Sequence, residues 1–148
     1  MTARTIFVGS DHGGFTLKQH LVARLTAAGY TVHDLGCHDT QSCDYPVFAH
    51  EVSRAVLQEN ALGILICGTG LGMSMAANRQ AGIRAALCTN EFMARMSREH
   101  NDANVLCLGE RVIGLSLADT IVDAFLTTEF AGGRHQRRVG LIELPTTH

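Results

Sequence analysis

The stretch ILICGTGLGMSMAANR, residues Ile64–Arg79, decides how this chain folds. An apolar run typical of a buried strand ends at Cys67, and glycines follow it at alternate positions. A segment of helical character begins after the glycines. The stretch therefore predicts a strand, a tight loop and a helix, which is the repeating unit of an α/β protein.

Similar units lie on both sides of this stretch. Further strands are predicted at residues 4–10, 30–35, 83–88 and 104–109. Helices are predicted at 14–28, from Pro46 onward, near 73–79, at 90–101, from Ser116 onward and over 134–144. The alternation predicts a single three-layer α/β/α domain over residues 1–148, with a five-stranded parallel sheet in the flavodoxin-like order 2-1-3-4-5.

The composition is that of a soluble globular protein, with 148 residues, 46% hydrophobic and 18% charged residues, and a formal net charge of −2. This charge gives no electrostatic reason to bind nucleic acid or a membrane. No apolar run approaches the roughly 20 residues of a membrane span, and the first residues do not resemble a signal peptide, so we expect a cytoplasmic protein. Five cysteines without a secretory signal favour free thiols. Cys88 and Cys107 lie in predicted strands and are expected to be small buried hydrophobes.

Chemically active residues are predicted to meet where the strand order reverses, between the first and third strands. The first strand leads into Asp11 and His12, and the third ends at Cys67. The loop from Gly68 to Gly72 lets the backbone approach a ligand and opens a helix, so its amides suit a phosphate or an oxyanion. The loop is equally compatible with a plain strand-to-helix turn. Cys67 is either a base for proton transfer or a buried hydrophobe.

The glycine loop lacks the signatures of other phosphate-binding motifs. Its G-x-G-x-G spacing differs from the G-x-G-x-x-G of dinucleotide-binding folds, and no Gly-Lys-Ser/Thr follows as in a P-loop. A cysteine phosphatase would need an arginine six residues after the cysteine, where this chain has Met73. Cys37, His38 and Cys43 match no zinc-binding spacing, so we expect no metal site.

Other polar residues lie at the ends of later elements. His100 and Asn101 follow the fourth helix; the imidazole suits acid–base chemistry near neutral pH, and the turn also suits a solvated histidine. Arg111 follows the fifth strand, at the same sheet edge as the glycine loop. Arg134 and Arg138 lie four residues apart on one predicted helix face, either as phosphate ligands or as a solvated basic surface.

Taken together, these segments resemble the ribose-5-phosphate isomerase B family of sugar-phosphate isomerases, which includes the galactose-6-phosphate isomerase subunits. The resemblance covers nearly the whole chain in order, through FVGSDHGGF, DYP, GILICGTGLGMSMAANR, GIRAALC, SREHNDANVLCLGERVIG and GGRHQRRV. It implies a homodimer with active sites between the subunits and a C-terminal helix that reaches the partner. Pairing of dimers into tetramers stays open. It implies a phosphorylated sugar as substrate and no cofactor.

The resemblance also implies a role for each candidate residue. Cys67 would move a proton between the first two sugar carbons, with Thr69 assisting. His100, reaching in from the neighbouring subunit, would open the sugar ring, and Asp11 would hold the ring or help to open it. The other residues would bind substrate: Gly68, Gly70 and Gly72 at the enediolate oxygen, Tyr45 beside the sugar, His12, Arg134 and Arg138 at the phosphate, and Arg111 and Asn101 at further substrate atoms.

One branch of the family uses a glutamate within the loop instead of the cysteine. Met73 occupies that place here, so this chain fits the cysteine branch. The implied activity is cofactor-free interconversion of ribose 5-phosphate and ribulose 5-phosphate through an enediolate. The alternatives are an isomerase of allose 6-phosphate, galactose 6-phosphate or a tetrulose phosphate, and a non-catalytic phosphosugar-binding subunit.

Overall fold

A computed structural model describes residues 4–146 and shows strands and helices in alternation. The strands are β1 (Thr5–Ser10), β2 (Thr31–Asp34), β3 (Leu62–Cys67), β4 (Ala85–Leu87) and β5 (Val105–Gly109). The helices are α1 (Phe15–Ala27), α2 (Tyr45–Glu59), α3 (Leu71–Ala77), α4 (Glu91–Glu99), α5 (Leu115–Thr127) and α6 (Arg134–Gly140). A short 3-10 turn, His12–Gly14, precedes α1. The first three and last two residues of the predicted domain lie outside the described residues.

The sheet is parallel, with the strand order β2-β1-β3-β5-β4. The prediction of a single α/β domain is confirmed, but the predicted order 2-1-3-4-5 is wrong for the last two strands. The physical reason is burial. All of β5 is buried, whereas β4 has only three residues, each of them partly exposed. A short, half-exposed strand fits the edge of a sheet, and a fully apolar strand fits its interior.

The helices cover both faces of the sheet and enclose two hydrophobic cores. Alternate residues of β3 point to opposite faces, so Ile66 packs in the core under α1, α4 and α5. Leu65 and Cys67 pack in the other core, under α2 and α3. Cys67 therefore ends its strand on the α2–α3 face.

The sequence predicted most element positions closely. β3 ends at Cys67, where the apolar run was predicted to end, and Pro46 lies in the first turn of α2. The last helix is shorter than predicted and ends at Gly140. Within residues 4–146, no helix combines the length and the apolar character that crossing a bilayer requires.

Candidate active site

Two loops meet at the carboxyl edge of the sheet, where β1 and β3 end side by side. The backbone N–H of Asp11 donates to the carbonyl of Ile66 (3.2 Å), and Asp11 Oδ1 accepts from the N–H of Gly13 (2.9 Å). Gly13 lies so close to the next loop that a Cβ on it would be 3.2 Å from Gly68 N. The structure thus brings the buried carboxylate of Asp11 up to the glycine loop.

The sulfur of Cys67 is held by the loop that follows β3. The N–H of Gly70 donates to Cys67 Sγ at 3.1 Å, and Cys67 is 5% exposed. Gly70 has a φ of +81°, a left-handed conformation that favours glycine. A Cβ at Gly70 would also lie 3.0 Å from the backbone carbon of Leu108. The turn that fixes the sulfur at the start of α3 therefore requires glycine.

Two other buried cysteines, Cys107 within β5 and Cys88 directly after β4, lie away from the glycine loop. Burial raises the pKa of Cys107 well above its ordinary value, and neighbouring Cys67 and Cys88 raise it further. Burial also raises the pKa of Cys88 to about 11, against a smaller opposing hydrogen bond from Ser97. Both remain neutral thiols at neutral pH and fill space in the cores. Cys67 is also buried, but its sulfur accepts the N–H of Gly70 in the glycine loop.

A cation and a hydroxyl flank the glycine loop. The N–H of Arg111 donates to the carbonyl of Gly68 (3.0 Å), and a Cβ on Gly68 would lie 3.1 Å from Arg111 Nη1. The guanidinium therefore lies over the loop backbone. Thr69 is exposed beside it, and its Oγ1 accepts from the N–H of Leu71 (3.2 Å). The loop thus presents positive charge and a hydroxyl group to solvent.

Two more candidate residues lie at this edge: His12 in the turn after β1 and Tyr45 at the start of α2. His12 Nδ1 accepts the backbone N–H of Cys43 (3.2 Å). In the neutral ring the proton then lies on Nε2, which is available as a donor. Tyr45 is 40% exposed and begins α2. Its ring packs so closely on Gly72 that a Cβ there would be 2.7 Å from the ring.

Four of the candidate residues lie at the opposite end of the sheet, where the strands begin, which we call the amino edge. They are His100, Asn101, Arg134 and Arg138. α4 starts after β4 and runs back along the sheet, so His100 precedes the start of β5. Cys67, in contrast, pairs with Gly109 at the end of β5. A strand of five residues spans roughly 16 Å. Within one chain, these residues therefore do not share a site with Cys67.

The amino edge forms a basic cluster with α6. The rings of His100 and His135 stack, with centroids 4.2 Å apart and planes inclined by 12°. Partial burial lowers the pKa of His135, and the positive charges of His100, Arg134 and Arg138 lower it further, while Glu99 opposes them. This edge is therefore a surface of imidazole and guanidinium groups.

Sequence reasoning missed three residues that shape the two edges. Glu110 Oε1 accepts the N–H of Leu17 (2.6 Å) in the first turn of α1, a long-range contact with no local sequence signal. His135 directly follows Arg134, a candidate from the sequence, and this neighbouring position could have pointed to it. Asp102 forms ion pairs with two arginines, and its place in the turn after His100 was the signal.

Two cavities lie toward the amino edge of the sheet. A cavity of about 720 Å³ follows the edge strand β4 and is lined in part by Asn101, Ile142 and Leu144. Another of about 470 Å³ is lined in part by Arg84 and Arg98. Neither is lined by Cys67. Among the residues that the structure describes, no three His, Cys, Asp or Glu side chains are grouped to hold a metal ion.

Comparisons with known proteins match nearly the whole chain. The family described as Ribose/Galactose Isomerase matches residues 6–142. The chain is 51% identical over 140 residues to ribose-5-phosphate isomerase B of Escherichia coli, with 94% of each chain covered. It is similar to the solved structure of Clostridium thermocellum ribose-5-phosphate isomerase B, with a TM-score of 0.92, 58% identity, and coverage of 93% of this chain and 94% of that one. For the ribose 5-phosphate isomerase of Thermotoga maritima the TM-score is 0.93, with 50% identity and coverage of 95% and 98%.

Proposed function

Because the chain belongs to the ribose/galactose isomerase family and is a sugar-phosphate isomerase, we propose that it interconverts ribose 5-phosphate and ribulose 5-phosphate. The relatives named above carry that activity in their names. The observation that carries the proposal for this chain is the placement of Cys67. Its sulfur lies at the end of a central strand, bonded to the N–H of Gly70 and followed by a glycine loop.

Proton transfer between the two reacting carbons is the central step that the carboxyl edge would perform, after the sugar ring has opened. Isomerisation removes a proton from the carbon beside the carbonyl and returns one to the adjacent carbon. Cys67 is the proposed base, and exposed Thr69 assists. The N–H of Gly70 is bonded to the Cys67 sulfur and that of Leu71 to Thr69 Oγ1. The enediolate oxygen is therefore assigned to other amides of the loop, among them that of Gly72.

The remaining residues of the carboxyl edge would hold the substrate. His12 offers Nε2–H as a donor to the phosphate, since Cys43 occupies Nδ1. The Arg111 guanidinium, lying over the loop, contributes a positive charge near the developing oxyanion. Tyr45 forms an apolar wall beside the sugar through its packing on Gly72. Binding the unreacted phosphate orients the carbons that react.

A second copy of the chain would complete the site. His100, Arg134 and Arg138 lie at the amino edge, so in this proposal they serve the Cys67 of the other subunit. A two-fold dimer makes both sites equivalent in this way. Exposed apolar side chains support a contact between copies, including Met75 on α3 (67% exposed) and Leu144 after α6 (87% exposed).

The test of this function is an NMR assay of ribose 5-phosphate in deuterated water. We expect ribulose 5-phosphate to form without added cofactor or metal, with deuterium entering at the carbon beside the carbonyl. The exchange reports an enediolate intermediate, which a hydride shift would not give. Absence of turnover with the five-carbon pair would refute the proposal.

A substrate panel decides between the five-carbon sugar and the alternatives. Ribose 5-phosphate, allose 6-phosphate, galactose 6-phosphate and a tetrulose phosphate are compared by kcat/KM at one pH. We expect the highest value for ribose 5-phosphate. A higher value for a six-carbon or four-carbon substrate would reassign the substrate while keeping the reaction class.

A further inference from the structure

The turn that carries His100 and Asn101 is built by charged groups that the proposed reaction does not use. Asp102 has a φ of +47°, a left-handed conformation that is uncommon for residues other than glycine, although Asp adopts it more readily than most. Its N–H donates to the carbonyl of Arg98 (3.2 Å). Asp102 therefore ends the turn of chain after α4 and redirects it into β5.

The carboxylate of Asp102 bridges two arginines. Asp102 Oδ1 lies 3.2 Å from Arg98 Nη1, and Oδ2 lies 3.5 Å from Arg84 Nη2. Arg84 Nε also donates to the backbone carbonyl of Asp102 (2.8 Å). Asp102 thus connects the turn both to α4, through Arg98, and to the residue before β4, Arg84.

Arg98 anchors one flank of the turn in the core. It is 9% exposed, and its Nη1 also donates to the carbonyl of Ala103 (2.5 Å). Its guanidinium lies 5.7 Å from the ring centroid of Phe125 on α5. Burial lowers the pKa of Arg98, and the charge of Asp102 opposes that effect. Asp102 is therefore the counter-charge of a buried cation, whose loss would leave that cation uncompensated.

Arg84 anchors the other flank through Asn104. The N–H of Arg84 donates to Asn104 Oδ1 (2.8 Å), and Asn104 Nδ2 donates to the carbonyl of Gly82 (2.9 Å). Between the two anchored flanks, the His100 side chain is 39% exposed and Asn101 is exposed. The network thus holds the backbone on both sides of these residues while leaving their side chains accessible.

We propose that Asp102, together with Arg84 and Arg98, is a positioning residue that holds His100 in the orientation required to open the sugar ring. The inference rests on the proposed function of His100. Asp102 acts through the turn and touches no substrate. The two arginines are not assigned to a further anion, because their N–H groups point at Asp102 and at backbone carbonyls.

Ring opening can be measured separately from proton transfer. Ribose 5-phosphate in solution is a furanose, which must open before its carbonyl carbon reacts. Ribulose 5-phosphate has its terminal oxygen phosphorylated, so it cannot close a five-membered ring and is open-chain. Exchange of a C1 hydrogen of ribulose 5-phosphate with deuterated water therefore needs the base and the enediolate site, but no ring opening.

The primary variant is Asp102→Asn, which keeps a side chain that tolerates the left-handed conformation and removes the charge. We expect conversion of ribose 5-phosphate to fall by about tenfold to hundredfold, because a small displacement of a catalytic group has an effect of this size. Exchange at C1 of ribulose 5-phosphate, measured at saturating ketose, should stay within about threefold of the wild type. Equal losses in the two reactions would overturn the proposal, and so would no loss in either.

A double-variant cycle tests whether Asp102 acts through His100. His100→Ala should show the same selective loss of ribose conversion. The double variant should be no slower than His100→Ala alone, because residues that act through one group are not additive. A double variant slowed by the product of the two single effects would overturn the proposal, as would equal losses of both reactions in His100→Ala.

Two further variants separate this inference from general destabilisation and from the proposed function. Arg84→Gln leaves the pair of Asp102 with Arg98 in place, so it can be tested even if Asp102→Asn fails to fold. It should slow the conversion of ribose 5-phosphate while leaving the C1 exchange of ribulose 5-phosphate nearly unchanged. Equal losses in the two reactions would count against the positioning role. The matched control is Asp123→Asn, which breaks an exposed ion pair with Arg24 (2.7 Å) away from the turn and should change neither rate. A wild-type protein inactive on both sugars would refute the proposed function itself, whereas unselective variants of an active wild type would refute only the positioning role.

Discussion

The carboxyl edge and the amino edge of the sheet hold their candidate side chains by different means. At the carboxyl edge, backbone groups fix Cys67: the N–H of Gly70 bonds its sulfur, and the close packing around Gly70 excludes any side chain there. At the amino edge, side-chain charges fix the turn before β5, through Asp102 and its arginines. Substitutions of the residues that hold Cys67 should therefore act through steric fit, and substitutions of the residues that hold the turn before β5 should act through charge.

The largest expected effect is the loss of the thiol at the carboxyl edge. Cys67→Ala should lower kcat by roughly 10²–10⁴-fold, the usual contribution of a positioned acid–base group. Binding of the sugar phosphate should persist, because the residues proposed to hold the phosphate are unchanged. Steady-state kinetics and calorimetric titration measure the two quantities.

Cys88→Ala is the matched control for Cys67→Ala. This variant removes a buried thiol that lies in the other core and has a raised pKa. It should retain most of the wild-type kcat. Comparable activity of the Cys67 and Cys88 variants would remove the thiol from the mechanism and place the chemistry elsewhere.

The next effect tests whether the two edges of different chains meet. In the conversion of ribose 5-phosphate, Cys67→Ala and His100→Ala homodimers are each expected to be nearly inactive. After their subunits exchange in an equal mixture, half of the dimers are mixed, and one of the two sites in each mixed dimer is intact. The mixture should therefore regain about a quarter of the wild-type activity, because a two-fold dimer has two equivalent sites. If the mixture shows only the summed activity of the two variant homodimers, Cys67 and His100 act within one chain or at separate sites.

A smaller effect on stability is expected at the glycine that shapes the loop. Gly70→Ala places a Cβ at a positive φ and 2.5 Å from Leu87 Cδ1. Backbone strain of this kind costs about 1–3 kcal/mol, and the steric contact adds to it. Chemical denaturation should show the loss. Gly114→Ala is the control, because a Cβ there meets nothing within 4 Å and φ is −83°; equal losses in both variants would contradict the steric argument.

The smallest effect is a pH dependence at the amino edge. The pKa of His135 in the folded chain is lowered, first by partial burial and then by the neighbouring positive charges. As the pH falls through the ordinary imidazole value of about 6.5, the unfolded chain binds a proton first, so the folded state loses stability. The decrease in Tm between about pH 7.5 and about pH 5 should therefore be smaller for His135→Gln than for the wild type, as measured by calorimetry.

The control for this pH dependence is His38→Gln, which removes an exposed histidine in the connection between β2 and α2. The Tm of this variant should decrease with falling pH as in the wild type. The inference about His135 would be contradicted if His135→Gln lost as much stability on acidification as the wild type.

The sequence allowed a close prediction of the elements but not of the strand order. Continuous apolar runs such as Leu62–Cys67 predict strands because a parallel sheet buries both of its faces. The runs of β4 and β5 look alike in sequence, and which one lies inside depends on how much of each becomes buried. That is a property of the assembled core, so local periodicity could not provide it.

What the sequence alone determined is the adjacency of Cys67 to the glycine loop, because residues that follow one another in the chain stay together when a strand turns into a helix. Only the tertiary structure decided that His100 lies at the opposite edge from Cys67, because that depends on the path of α4 beside the sheet. It also decided that Asp102 pairs with Arg84, eighteen residues earlier, because ion pairs form between groups that folding, rather than sequence, brings together.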